Sequence, residues 1–122
     1  MASPQPHLPE VRPVSRFFRA LGDETRVRIV ALLSHGELCV CHVQAALRLT
    51  QSGASRQLSI LRNAGIVEDR RDGTWVYYRL AKQRDPHRQR QLRSLARAFG
   101  AGGSLKQDLA KLLRALGPGA CR

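Results

Sequence analysis

Acidic residues are scarce in this chain. Nine Asp and Glu stand against 21 Lys and Arg in 122 residues, leaving a net charge of +12 with neutral histidines. Such a balance says more about partners than about fold. Double-stranded nucleic acid fits it best, because each neutralised phosphate releases counterions and the basic residues run along the whole length. Cysteine is sparse as well. Three residues, an odd number, exclude a disulfide framework and leave reduced thiols as the expectation. Long apolar runs are missing: none approaches the ~20 residues that span a bilayer, and no segment joins a basic start, an apolar core and a cleavage site. The reading is of a cytoplasmic protein with no membrane partner. There are no internal repeats, and the length suits one domain with one core.

What is present falls into short amphipathic segments. Residues 1–13 hold four of the six prolines and read as a flexible arm. Val14 to Leu21 carries Phe17, Phe18 and Leu21 at helical spacing. Gly22 ends that helix, and Asp23 is a good N-cap for the next, Glu24 to Ser34, closed by His35-Gly36. A third short helix is expected from Cys39 to Leu47. After the turn Arg48-Leu49-Thr50 comes a fourth, Gln51 to Asn63, with Thr50 as its N-cap and Ala54, Leu58 and Leu61 inward. Gly65 stops it. Ile66 to Arg71 and Thr74 to Leu80 are β-rich, with Asp72-Gly73 between them as a hairpin signal. The polar stretch Gln83 to Gln91 leads into a fifth helix with Leu92, Leu95, Ala96 and Phe99. Gly100-Ala101-Gly102-Gly103 breaks it. A last helix carries Leu105, Leu109, Leu112, Leu113 and Leu116, and residues 117–122 form a loose tail with Cys121. This order predicts a mainly α winged helix-turn-helix over residues 14–116, the hairpin being the wing.

In that fold the second helix of the motif enters the major groove with its N-terminal end nearest the bases. That end presents Gln51, Ser52, Gly53, Ser55, Arg56 and Gln57. Gln pairs with adenine through two atoms, Arg does so with guanine, and Ser serves base or phosphate. Gly53 permits close backbone approach, and the helix N-terminus itself favours a phosphate oxygen. Arg62 is placed for phosphate. On the wing, Arg70, Arg71 and Thr74 flank the turn within reach of the backbone or minor groove. For any single residue, a solvated polar face explains it equally well; for the whole stretch that explanation is weaker.

Glu37-Leu38-Cys39-Val40-Cys41-His42 lies directly upstream of this unit. Thiolates prefer soft ions to Mg²⁺ or Ca²⁺. One buried cysteine is commonly just a small hydrophobe, but two at i and i+2 on a helix point roughly 200° apart and cannot both be that. The same geometry predicts that one ion can join both sulfurs only if the first turn of the third helix unwinds. That distortion would disturb the reading helix behind it. His42 is a candidate further ligand but reads more simply as polar surface. Asp85-Pro86-His87 opens the fifth helix, and with no His or Glu one to four turns later to complete a metal site, Asp85 and His87 read as structural or solvated.

At these residues a family resemblance becomes specific. Phe18-Arg19-Ala20-Leu21-Gly22-Asp23-Glu24-Thr25-Arg26, Gly36 through Cys41, Gln51 through Leu61, Gly65-Ile66-Val67 and Asp72 through Leu80 together resemble the ArsR/SmtB family of bacterial metalloregulators. Within it, the string Glu37-Leu38-Cys39-Val40-Cys41 resembles the arsenite-responsive repressors. The match covers roughly residues 14 to 81. The resemblance implies a homodimer built from the N- and C-terminal helices, bound to a palindromic operator and released when As(III) or Sb(III) takes the thiols of Cys39 and Cys41. In those repressors a third cysteine follows the second by three positions; here that position is Gln44. Trigonal As(III) prefers three sulfurs, so either two suffice with water or an added thiol, or Cys121 completes the set. The zinc ligands that other members carry on the last helix are lacking.

Other functions fit less well. A thiol redox or persulfide sensor of the same fold would use the same pair. A thiol oxidoreductase would want Cys-x-x-Cys on a βαβ scaffold, and neither is present, so no enzyme is expected. A purely architectural DNA protein would not need the thiols.

Overall fold

The computed structural model describes residues 11–98 and 104–116. The glycine-rich break, most of the N-terminal arm and the tail with Cys121 lie outside the described residues.

Helix α1 (Val11–Ala20) starts three residues before the expected Val14. Pro13 falls in its first turn, where a missing N–H forfeits no intrahelical bond. The end of the expected arm is therefore helical. Phe17 and Ala20 are buried, but Phe18, expected inward, is 51% exposed and meets Phe17 edge-on at 5.2 Å. Helix α2 (Glu24–Leu33) is capped as predicted, the Arg26 amide donating to Asp23 Oδ2 at 3.1 Å. Its run Ile29 to Leu33 is wholly buried.

Gly36 turns the chain at φ 136° into a short strand, β1 (Leu38–Cys39), which periodicity did not reveal. Helix α3 (Val40–Leu47) follows, so Cys39 is its extended N-cap residue rather than its first helical one. Arg48, in the left-handed region at φ 54°, closes α3. Helix α4 (Gln51–Asn63) has the expected bounds, and Gly65 at φ 75° lets the chain leave it.

Strands β2 (Val67–Asp72) and β3 (Trp75–Leu80) form the hairpin. Asp72 pairs with Trp75, so the two-residue loop is Gly73-Thr74, one position later than predicted. Gly73 supplies the positive φ of 63° that such tight turns need. The strands lie in the order β1-β3-β2, all antiparallel.

Helix α5 (Pro86–Ala98) opens at Asp85-Pro86-His87 as expected: Pro86 suits a first helical position and Asp85 caps it, accepting from the His87 amide at 2.9 Å. Helix α6 (Ser104–Ala115) packs on α3 and α2. The core is continuous through Phe17, Ile29, Val43, Leu58, Leu61 and Ile66. Together these elements make a winged helix-turn-helix.

Candidate DNA-reading surface and thiol pair

Thr50 builds the exposed end of α4. Its extended backbone places Oγ1 to accept from the Gly53 amide at 3.0 Å. Gly53 has a local reason beyond any approach to a ligand: a Cβ there would sit 2.9 Å from that oxygen. Gln51, Ser52, Ser55 and Arg56 are exposed along this end, while Ala54, Leu58 and Leu61 anchor the opposite face. Gln57 is half-buried, and its Oε1 accepts from Arg26 Nη1 at 2.9 Å. Arg26 also donates through Nε to the Ala20 carbonyl at 2.6 Å. It thereby ties the end of α1 and the reading helix to α2. Sequence reasoning quoted Arg26 only as part of a family string; its partners lie too far along the chain for spacing to show.

The wing arginines divide into paired and unpaired. Arg62 at the end of α4 reaches Asp69 on β2 at 3.2 Å. Arg70 donates to the Glu37 carboxylate from Nε and Nη2, and Arg79 pairs with Glu68 at 2.6 Å inside the hairpin. The Arg70 pairing holds the Glu37 carboxyl below its ordinary pKa and raises that of the guanidinium. Arg56, Arg71 and Thr74 are exposed, and neither Arg56 nor Arg71 makes an ion pair among the described residues. Arg62 and Arg70, expected to meet phosphate, are thus already engaged within the chain.

The cysteine pair departs from the prediction in bonding as well as geometry: Cys39 is a free thiol, whereas Cys41 is disulfide-bonded, against the expectation of reduced thiols. Cys39 lies in β1 with φ −70° and ψ 149°, so the helical angle between the two side chains does not apply. Its sulfur and that of Cys41 are 3.3 Å apart. Soft-ion bonds to sulfur of about 2.3 Å, the Zn–S length, can close on two atoms so spaced. No unwinding of α3 is needed to bring the pair together. Cys39 is 4% exposed and Cys41 half-buried. His42, read from the sequence as polar surface, is half-buried, its buried Nδ1 has no hydrogen-bond partner, and burial lowers its pKa. Among the described residues no group of three His, Cys, Asp or Glu is arranged to hold a metal ion. The third sulfur position is half-buried Gln44, and Cys121 lies outside the described residues.

A capped helix with an exposed polar end, a charged hairpin beside it and the surrounding helices make a winged helix-turn-helix of the class found in transcriptional regulators. Residues 23–69 match the model of the bacterial regulatory protein, arsR family, and the chain belongs to that family. It is 49% identical over 80 residues to the arsenic resistance transcriptional regulator ArsR1 of Pseudomonas putida, covering 65% of this chain and 62% of that one. It is 51% identical over 67 residues to the arsenical resistance operon repressor of Escherichia coli, covering 54% and 57%. The chain thus spans only part of the length of these curated relatives. Among solved structures it is similar to the homodimeric winged helix-turn-helix DNA-binding domain of a possible ArsR-family transcriptional regulator from Mycobacterium bovis. That likeness has a TM-score of 0.64 at 31% identity and covers 82% of this chain and 90% of that one. No helix among the described residues is long and apolar enough to cross a membrane.

Proposed function

We propose that the protein is a cytoplasmic, homodimeric repressor that binds operator DNA and releases it when As(III) or Sb(III) occupies the thiolates of Cys39 and Cys41. It would thereby control an arsenic-resistance operon. The observation that carries this reading is the 3.3 Å separation of the two sulfurs at the start of α3. Soft, thiophilic ions suit such a pair, and hard ions do not. Once an external thiol has reduced the Cys41 disulfide, arsenous acid would exchange one hydroxyl for each of the two thiols, each thiol proton leaving with that hydroxide as water, without change in the oxidation state of arsenic. The third position falls to water, an added thiol or Cys121.

Gln51, Ser52, Ser55 and Arg56 would meet base edges, with Gly53 and the helix N-terminus close to a phosphate. Gln57 would contribute through its amide NH₂, its oxygen being held by Arg26. Arg71 and Thr74 would reach the backbone or the minor groove, and Arg62 and Arg70 would do so only by exchanging Asp69 and Glu37 for phosphate. The dimer face is supported by the outward stripe Val11, Val14 and Phe18 on α1 and by exposed Leu113 on α6 and Leu116 just after it.

Fluorescence anisotropy with operator DNA tests this reading on fully reduced protein. Arsenite and antimonite should dissociate the complex, whereas zinc should not. Release by peroxide but not by arsenite would instead establish the thiol redox alternative, and binding indifferent to all of them would leave a DNA protein without a sensor.

A further inference from the structure

The sulfurs already lie side by side, so once the Cys41 disulfide is reduced, occupancy of the pair does not call for unwinding of α3. A different path runs from Cys39 to the wing. In the β1–β3 ladder Cys39 stands opposite Tyr77, and in the β3–β2 ladder Tyr77 stands opposite Arg70. The Arg70 guanidinium carbon lies 4.5 Å from the centre of the Tyr77 ring. Arg70 Nε donates to Glu37 at 2.9 and 3.1 Å, and Nη2 donates at 2.6 Å. Glu37 stands just before β1, so the contacts form a ring: strand pairing, cation over ring, two-point ion pair, and the chain itself.

We propose that Glu37 is a positioning residue that ties the wing arginine Arg70 to the thiol-bearing strand, so that a soft ion closing on Cys39 and Cys41 moves the wing with β1. This inference rests on the proposed sensing function and names its route. The pair is too exposed to be a stability device, since exposed ion pairs contribute little to folding. What a forked pair adds is geometry: two parallel hydrogen bonds fix the plane of the guanidinium, and the ring beneath it fixes the height. Among the described residues a second ion pair, Arg62 to Asp69, joins the wing to the reading helix. The wing is therefore the common neighbour of the thiols and the DNA-reading element. Coupling then needs only that both ligands bias one element.

The test is the ratio of operator affinities without and with arsenite, measured on reduced full-length protein together with the arsenic retained after gel filtration. In the wild type arsenite should weaken binding by about 5–150-fold, the usual span of such couplings. Glu37→Gln and Arg70→Gln should each retain arsenic but cut that factor several-fold, and the double variant should be no worse than either. Glu68→Gln, which breaks the Arg79 pair within the hairpin, should keep the wild-type ratio. A wild-type ratio in Glu37→Gln would overturn the inference while leaving the sensor reading intact. So would loss of arsenic binding in that variant, or additive effects in the double variant. A ratio of one in the wild type would overturn the sensor reading and the inference with it.

Discussion

The carboxylate of Asp108 on α6 is 1% exposed and is gripped from two sides by Arg28 on α2, with Nε donating at 2.6 Å to Oδ2 and Nη2 bonding Oδ1. It is the buried charge among the described residues, and it pins α6 where that helix also covers α3. The two halves of the pair are unequal, because the Arg28 side chain is 37% exposed. Arg28→Ala strands a buried carboxylate and should cost about 3–5 kcal/mol. Asp108→Ala leaves an arginine that can turn to water and should cost about 1–3 kcal/mol. Urea unfolding of the two variants checks the order; equal costs, or the reverse order, would contradict the role assigned to the pair.

The cap of α4 gives a prediction that depends on two residues together. Thr50→Ala removes the acceptor for the Gly53 amide and should destabilise by about 1 kcal/mol. Adding Gly53→Ala to that variant should recover most of the loss, because the oxygen a Cβ would strike is gone and alanine favours the helix by about 0.8–1.0 kcal/mol. In the wild-type background the same change must first push Thr50 aside. Thermal denaturation of the three variants would refute this if the double variant were less stable than Thr50→Ala.

Arg56 and Arg71 separate base reading from backbone contact. Arg56→Ala should cost about 1–3 kcal/mol on the operator and relax sequence preference. Arg71→Ala should weaken operator and random DNA alike and lower the salt slope by about one. If Arg56→Ala acts equally on both DNAs, its reading role is wrong.

Phe18 and Val14 test the subunit interface. Phe18→Ser should shift sedimentation toward monomer and weaken operator binding, since half-sites are read in pairs. The stability of the isolated chain should change little, because Phe18 is 51% exposed in it. An unchanged dimer would move the interface elsewhere.

Local signals told most of the fold. Thr50, Asp23 and Gly65 each act through neighbours within a turn, and α4 came out with its predicted ends. β1 escaped because its two residues show no alternation and their apolar character blends into α3. That one missed strand also inverted the expected sulfur geometry, since Cys39 was given helical angles it does not have. Asp85-Pro86-His87 opens α5 where those residues indicate, because a proline at the first helical position and an aspartate before it act locally. The pairs Glu37–Arg70 and Arg28–Asp108 join residues 33 and 80 positions apart, a distance no periodicity reaches.

X-ray absorption at the arsenic edge, on reduced protein loaded with arsenite, tests the sensor claim most directly. The wild type should show at least two sulfurs on arsenic, with Cys39→Ser and Cys41→Ser each losing one and no longer releasing the operator. Cys121→Ser separates the third donor: a fall from three sulfurs to two makes the tail cysteine a ligand, and an unchanged count makes it a bystander. A sulfur count unaffected by either Cys39→Ser or Cys41→Ser would contradict the account.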